Sequence, residues 1–173
     1  VLKILHSPAH YAPLLKIKIF NEIFYNVAFD SAIEGQKIKI GSSEIKDGNV
    51  VYLKNIPVAT KIFNLENNPG DGGKMIRSSG CSAIVNKKYE DGKIGVIMPN
   101  RKEIMLAGDC RATIGVISGD GRKQKPFVKA GRKYYKMRTR NKLWPRTSAL
   151  KGNAVDHPFG SGRGRQHAKI KSP

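Results

Sequence analysis

Asp156 and His157 stand side by side in Val155-Asp156-His157-Pro158-Phe159-Gly160, the one place in the last third of the chain where an acid, an imidazole and a rigid turn meet. Such a pair invites a general acid–base reading, in which the imidazole moves a proton and the carboxylate orients it. The spacing argues against that. Neighbouring side chains of an extended segment point to opposite sides, so an Asp–His pair would need an unusual turn. The expected roles are structural. His157 hydrogen-bonds the backbone or a bound partner, and Asp156 holds a nearby Arg or Lys, or a hydrated cation.

Other spacings that imitate chemistry fail on context. Gly160-Ser161-Gly162-Arg163-Gly164 looks like a dinucleotide loop, but that motif needs a strand before it and a helix after it, and neither is predicted. Gly70-Asp71-Gly72-Gly73-Lys74 lacks the spacing and the Ser/Thr of a P-loop, so its glycines are expected to serve a tight turn or a close approach of a partner. His6, His10, His157 and His167 with Cys81 and Cys110 offer the donors for a composite zinc site. The spacing is wrong for one: His6 and His10 flank Pro8 in a loop, and the two cysteines fall in or beside strands, where free Cys packs as a small hydrophobe. With two cysteines 29 positions apart, a disulfide framework and any CxxC-type zinc ribbon are excluded.

Charge narrows the function more than any motif. The 173 residues carry 32 Lys+Arg against 13 Asp+Glu, a formal net charge of +19. A free chain so charged repels itself unless a polyanion surrounds it. Residues 1–120 hold 16 basic and 12 acidic side chains, whereas residues 121–173 hold 16 basic ones and Asp156 alone. The body is ordinary and the tail is a polycation. It is also Gly-rich and poor in apolar periodicity, so it cannot bury enough surface to offset chain entropy and needs a partner to be ordered. A membrane surface would call for an amphipathic helix with a wide apolar face, and none is predicted. Instead Phe127, Tyr134, Tyr135, Leu143, Trp144 and Phe159 are interleaved with Arg and Lys, as where side chains thread between phosphates and stack on bases. A solvated basic linker is the alternative. No run of about 18 apolar residues occurs, and Val1 to Ile4 is too short for a signal h-region, so a soluble, cytoplasmic protein is expected, with an organelle as the alternative.

The elements that must carry the tail read as short strands. Lys16-Ile17-Lys18-Ile19 and Lys37-Ile38-Lys39-Ile40 alternate, each fitting a strand with one buried face. Further β-rich runs are 22–29, 50–53, 61–65, 82–85, 94–98, 103–106 and 112–117, the rhythm of a barrel or sandwich. Asp91-Gly92 and Asn100-Arg101-Lys102 are hairpin turns between them. Asn67-Asn68-Pro69-Gly70-Asp71-Gly72-Gly73 is the strongest break, and a domain boundary is expected there. The predicted fold is therefore all-β: a small barrel over 1–66, a second over 67–130 with the interdomain segment, and an extended basic tail over 131–173. One larger sandwich is the alternative.

Trp144-Pro145-Arg146 followed by Gly152-Asn153-Ala154-Val155-Asp156-His157-Pro158-Phe159-Gly160 closely resembles the C-terminal signature of the universal large-subunit ribosomal protein L2 family. His6-Ser7-Pro8 with Ala12-Pro13-Leu14 is similar to that family's entry to its first barrel. Pro69 to Lys74 with Ser79-Gly80 resembles its interdomain segment, and Cys110 to Gly115 and Lys129-Ala130-Gly131-Arg132 resemble its second barrel and exit. Phe159 in place of a second His resembles the archaeal and eukaryotic branch. The chain departs from the pattern at Thr147 to Lys151 and at Ser161. Members extend further at both ends, so the resemblance implies a reduced chain or one whose ends are incompletely represented.

What the resemblance implies is an N-terminal OB-like barrel, an SH3-like barrel, and a tail running into large-subunit rRNA toward the peptidyl transferase region. It also implies a structural constituent that supports subunit association and tRNA placement and is not an enzyme. Its partners would be rRNA, neighbouring large-subunit proteins, the small subunit at the intersubunit face and, indirectly, tRNA; no membrane partner is expected. No cofactor is expected apart from magnesium accompanying the rRNA. Candidate RNA contacts are Lys74 and Arg77 beside the glycine-rich segment, Arg111 and Arg122 in the body, and Lys129, Arg132 and Lys133 at the exit. Further along they are Arg138, Arg140, Lys142, Trp144 and Arg146, then Asn153, Asp156, His157 and Phe159 in the signature, then Arg163 and Arg165. No catalytic or metal-ligating residue is assigned. Two rivals remain: an acid–base RNA-modifying enzyme using His157, and a free OB-type single-strand binder. The second would need Tyr11, Phe20, Phe24, Tyr25 and Phe29 as an aromatic stripe on one face.

Overall fold

Alternation decides the first sheet. In the computed structural model, which describes residues 1–122 and 124–162, β1 (Lys3–Leu5), β2 (Leu14–Ile19) and β3 (Glu22–Val27) form an antiparallel meander in that order. Leu15 and Ile17 of β2 turn inward and are buried, while Lys16 and Lys18 face outward. With Val27, Phe29, Phe63 and Ile117 they make one apolar core, and full burial of a side chain this size is worth about 1.5–3 kcal/mol.

The remaining strands are β4 (Val50–Tyr52), β5 (Lys61–Phe63), β6 (Ala83–Lys88), β7 (Lys93–Ile97), β8 (Glu103–Ala107) and β9 (Arg111–Ile114). They form one antiparallel sheet in the order β4-β9-β5-β6-β7-β8 around a second core of Val51, Leu53, Ile62, Leu65, Val85, Val96 and Cys110. The fold is all-β, as the strand rhythm predicts. The hairpin turns fall where expected, with Gly92 and Arg101 in the left-handed region and Met98 N–H donating to the Lys102 carbonyl.

Two expectations are corrected. The break at 67–73 does not separate the sheets, because β4 and β5, which precede it, pair with β9 and β6, which follow it. Those glycines instead make a loop inside the second sheet: Leu65 bridges to Met75, and the Lys74 N–H returns to the Leu65 carbonyl. Gly73 is at φ +82°, and a Cβ there would lie 2.7 Å from the Asn64 carbonyl oxygen. The chain divides later, into a unit from Val1 to Lys125 and another beginning at Pro126. The alternating run Lys37 to Ile40 is also not a strand; only Ile40 makes a bridge, to Val50. Val50 N–H donates to the Lys39 carbonyl and Gly41 N–H to the Val50 carbonyl, while the Lys39 N–H is taken by Asn49 Oδ1, whose Nδ2 donates to the Glu44 carbonyl.

The second unit carries α1 (Ala130–Arg138) where an extended path is expected. Ala, Arg, Lys, Met and Tyr tolerate a helix, and Lys136 and Arg138 in the last turn suit its negative end. Asn141 at φ 51° and the return of Lys142 N–H to the Met137 carbonyl close it. None of its residues is buried.

Candidate nucleic-acid interface

The body contributes one buried charge centre. Glu66, just after β5, is 2% exposed, and its Oε1 accepts from Arg111 Nε and Nη2 at 3.1 and 2.9 Å. Its Oε2 accepts from the backbone N–H of Arg111 and Gly70, and Gly72 N–H donates to Oε1. Burial by itself would raise this carboxyl, but the guanidinium and these N–H groups hold it below its ordinary 4.5. Asp71 caps the same loop through the N–H groups of Asn67, Asn68 and Gly73. Arg111 is thus tied to Glu66, while Lys74 and Arg77 stand exposed on the segment after the loop.

Arg122 is also anchored. Its guanidinium lies 3.8 Å from the centroid of the Tyr11 ring and its Nε donates to Ser79 Oγ at 3.0 Å. Cys110 is buried, with Sγ 3.7 Å from the Asn67 carbonyl. Burial first, then the charge of Glu66, pushes its thiol up, so it packs as a neutral group. Among the described residues no group of three or more His, Cys, Asp or Glu is arranged to hold a metal ion.

In the second unit, basic side chains pair with rings. Lys133 Nζ sits 5.1 Å from the Trp144 ring and Lys136 Nζ 5.2 Å from Phe127. Lys129, Arg132, Arg138, Arg140, Lys142 and Arg146 are exposed. An open hollow of about 840 Å³ gathers Arg146, Asn153, Asp156 and His157 on its wall, and Trp144 shares a neighbouring one with Lys142 and Arg146.

Residues 152–161 close on themselves around His157. Asp156 and His157 N–H both donate to the Asn153 carbonyl, Gly160 N–H to His157, and Ser161 N–H to Gly152. Ser161 Oγ accepts from Ala154 N–H. Phe159 N–H donates to His157 Nδ1 at 3.1 Å, and the two rings meet edge to face at 5.0 Å. The imidazole therefore uses Nδ1 as an acceptor from its own loop, leaving Nε2 for another partner. Asp156 is exposed and makes no ion pair among the described residues. Arg163 and Arg165 lie outside the described residues.

The aromatic stripe of the single-strand rival is split. Phe29 is buried and Phe24 packs against the core, while Tyr11, Phe20 and Tyr25 are exposed. The residue missed in the sequence is Glu66, whose signal is its place as an acid directly after the strand-like stretch Ile62 to Leu65 and just before the glycine loop.

The C-terminal domain model of ribosomal proteins L2 matches residues 46–173. The chain belongs to the ribosomal protein L2 family. It is 44% identical over 175 residues to the large ribosomal subunit protein uL2 of Methanococcus maripaludis, covering 100% of this chain and 71% of that relative. The uL2 proteins of Korarchaeum cryptofilum and Archaeoglobus fulgidus are 43% and 42% identical. Those alignments cover 98% and 99% of this chain and 69% and 73% of the relatives. These archaeal relatives agree with the branch that Phe159 points to. The L2 family is structural rather than enzymatic, which removes the acid–base rival and agrees with an imidazole whose Nδ1 is held by its own loop.

Proposed function

We propose that this L2-family chain is a structural constituent of the large ribosomal subunit that binds its rRNA by charge neutralisation and shape. The observation that carries the reading is the second unit: it combines exposed Arg and Lys side chains with a loop folded on its own hydrogen bonds around His157, and Arg146 and Lys151 share a hollow with that loop. Phosphates would take the cations of α1 and the following segment, and His157 Nε2 with the Asn153 side chain would meet RNA polar atoms. Lys74 and Arg77 would add phosphate contacts from the body. The further parts of the reading are support of the peptidyl transferase region, subunit association and tRNA placement, alongside neighbouring large-subunit proteins. Bond-forming chemistry would remain with the RNA, and no cofactor is assigned beyond magnesium that travels with rRNA. A cytoplasmic ribosome is the location in this reading; no helix among the described residues is long and apolar enough to cross a membrane.

The test is co-sedimentation of the chain with large subunits in high salt, paired with rRNA turnover by the purified protein. Retention in the subunit without turnover is expected. Release by modest salt, or turnover of free rRNA, would overturn the reading.

A further inference from the structure

An Asp-Gly pair is open to succinimide chemistry, because the glycine has no Cβ to shield its nitrogen from the preceding carboxyl. The pair occurs at Asp47-Gly48, Asp71-Gly72, Asp91-Gly92 and Asp120-Gly121, and no Asn-Gly occurs. What separates the four is where the glycine N–H goes. Gly48 N–H donates to the Ile114 carbonyl and Gly92 N–H to the Tyr89 carbonyl. Gly72 N–H donates to Glu66 Oε1, and the Asp71 carboxylate is itself occupied by the N–H groups of Asn67, Asn68 and Gly73. Of the four, Gly121 turns back on its own neighbour: its N–H meets Asp120 Oδ1 at 2.7 Å. Nucleophile and electrophile therefore stand side by side, the condition from which an intramolecular reaction gains most. Asp120 is exposed, so water reaches it. Gly121 is at φ +76°, and nothing beyond its chain neighbours lies within 4 Å of where a Cβ would stand, which leaves room for a ring. Asn26 gives the contrast, since Val27 N–H meets its Oδ1 at 2.8 Å. There Val27 is buried and branched at Cβ, Asn26 is paired opposite Leu15 in the first sheet, and its Oδ1 also accepts from Asn64 Nδ2. The contact is present and the freedom to react is not.

We propose that Asp120 is a modification site, converted spontaneously to isoaspartate, and that the conversion unseats Arg122. The Gly121 nitrogen adds to Cγ of the protonated Asp120 carboxyl, the nitrogen's proton and the carboxyl hydroxyl leave as water, and a succinimide ring closes. Water then adds to the ring carbonyl that was the Asp120 main-chain carbon. The bond from that carbon to the Gly121 nitrogen breaks, the water's hydroxyl stays on the carbon as a free carboxyl, and its proton returns to the nitrogen. The main chain now runs through Cβ and Cγ. That added carbon falls where there is no slack, because a Cβ on Gly80 would lie 2.8 Å from Asp120 Cα. Arg122, two residues on, holds its guanidinium against the Tyr11 ring and its Nε on Ser79 Oγ. Lengthening the chain at Asp120 moves it off both.

The test is peptide mapping of the intact folded chain aged in warm neutral buffer, beside the same chain aged in urea. Isoaspartate is read by fragmentation at the Cα–Cβ bond that has joined the main chain, and by methyl transfer from S-adenosylmethionine with an isoaspartyl methyltransferase. In the folded chain Asp120 should convert about tenfold faster than Asp47, Asp71 and Asp91, and in urea the four rates should converge. Asp120→Glu, which would have to close a larger ring, should remove the main methyl-accepting site of the folded chain. Asp120→Asn should convert at the same position with release of ammonia, and both variants should keep the dispersed NMR spectrum of the folded sheets. The purified isoaspartyl form should show a shifted Tyr11 ring signal. Equal rates at the four sites of the folded chain, faster conversion at any of the other three, or an Asp120 that stays intact while the urea sample converts, would overturn the site. An unmoved Tyr11 ring in the isoaspartyl form would overturn the unseating of Arg122.

Discussion

Glu66 and Arg111 hold one another across the second sheet, the guanidinium donating twice to a carboxylate oxygen while the backbone N–H of Arg111 reaches the other oxygen. Because this folded-state carboxyl lies below its ordinary 4.5, its stabilisation is fully present above that value and is lost as pH falls through the lower folded-state pKa. Glu66→Gln leaves the guanidinium without its counter-charge and should cost about 2–4 kcal/mol at neutral pH. Urea unfolding should show a wide gap in midpoint between wild type and variant at pH 7 that narrows in acid. A pH-independent gap would mean that packing, not the charge pair, is what the substitution removes.

Gly160 and Gly131 predict opposite outcomes for one added methyl. A Cβ on Gly160 would run into the Asn153 carbonyl that closes the His157 loop, whereas one on Gly131 meets open space on α1. Gly160→Ala should open the loop and lower rRNA affinity. Gly131→Ala should strengthen the helix by about 0.5–1 kcal/mol and leave affinity equal or higher. Circular dichroism with filter binding on a large-subunit rRNA fragment reads both.

His157 is expected to act through its shape. Asn carries an acceptor near the position of Nδ1 and can take the Phe159 N–H, whereas the longer Gln places its acceptor nearer Nε2. Translation by fully assembled subunits should therefore rank His157→Asn above His157→Gln and His157→Ala. A proton carrier would instead lose activity alike with every non-titrating replacement and shift the pH profile.

The strands were legible where one face is buried and the other wet, as in Lys16 to Ile19 and the runs that became β6 to β9. Lys37 to Ile40 shows the limit: the same alternation makes only a single bridge, with Val50, while the Lys39 N–H is taken by the Asn49 side chain, an arrangement that spacing does not encode. Pro and Gly mark turns equally in linkers and within sheets, so composition alone makes the glycine-rich segment look like a boundary; only the pairing of β4 and β5 with later strands tells them apart. For α1 the sequence offered no apolar stripe, since the helix buries nothing. Charge and the signature around His157 single out the second unit as the candidate interface, but they do not reveal that Arg111 and Arg122 are tied to Glu66, Ser79 and Tyr11.

Binding to rRNA should be electrostatic in bulk. If about eight basic side chains each displace a counterion, log K falls with log salt at a slope of roughly −6 to −7. Replacing Arg132, Arg138 and Arg140 with Gln should flatten that slope by about 2–3, because all three are exposed on or just beyond α1. Fluorescence anisotropy across a salt series gives the value, and a nearly flat dependence in wild type would exclude phosphate neutralisation as the main term.

Order in the second unit should depend on its partner. The nine residues of α1 bury no side chain, and a helix of that length is marginal in water because nucleation costs more than a few turns return. Arg132, Lys133, Lys136 and Arg138 repel along it, while the cation–ring contacts to Trp144 and Phe127 join groups that are half-buried or exposed. Strands β4 to β9, by contrast, surround a core whose residues are 0–5% exposed. Amide exchange of the free chain should therefore be slow in β5, β7 and β9 and near the unprotected rate across residues 130–138. Addition of a large-subunit rRNA fragment should slow the helix by orders of magnitude and leave the strands nearly unchanged. Strong protection of residues 130–138 without RNA would show that the helix is held by contacts within the chain, and that ordering is not linked to binding.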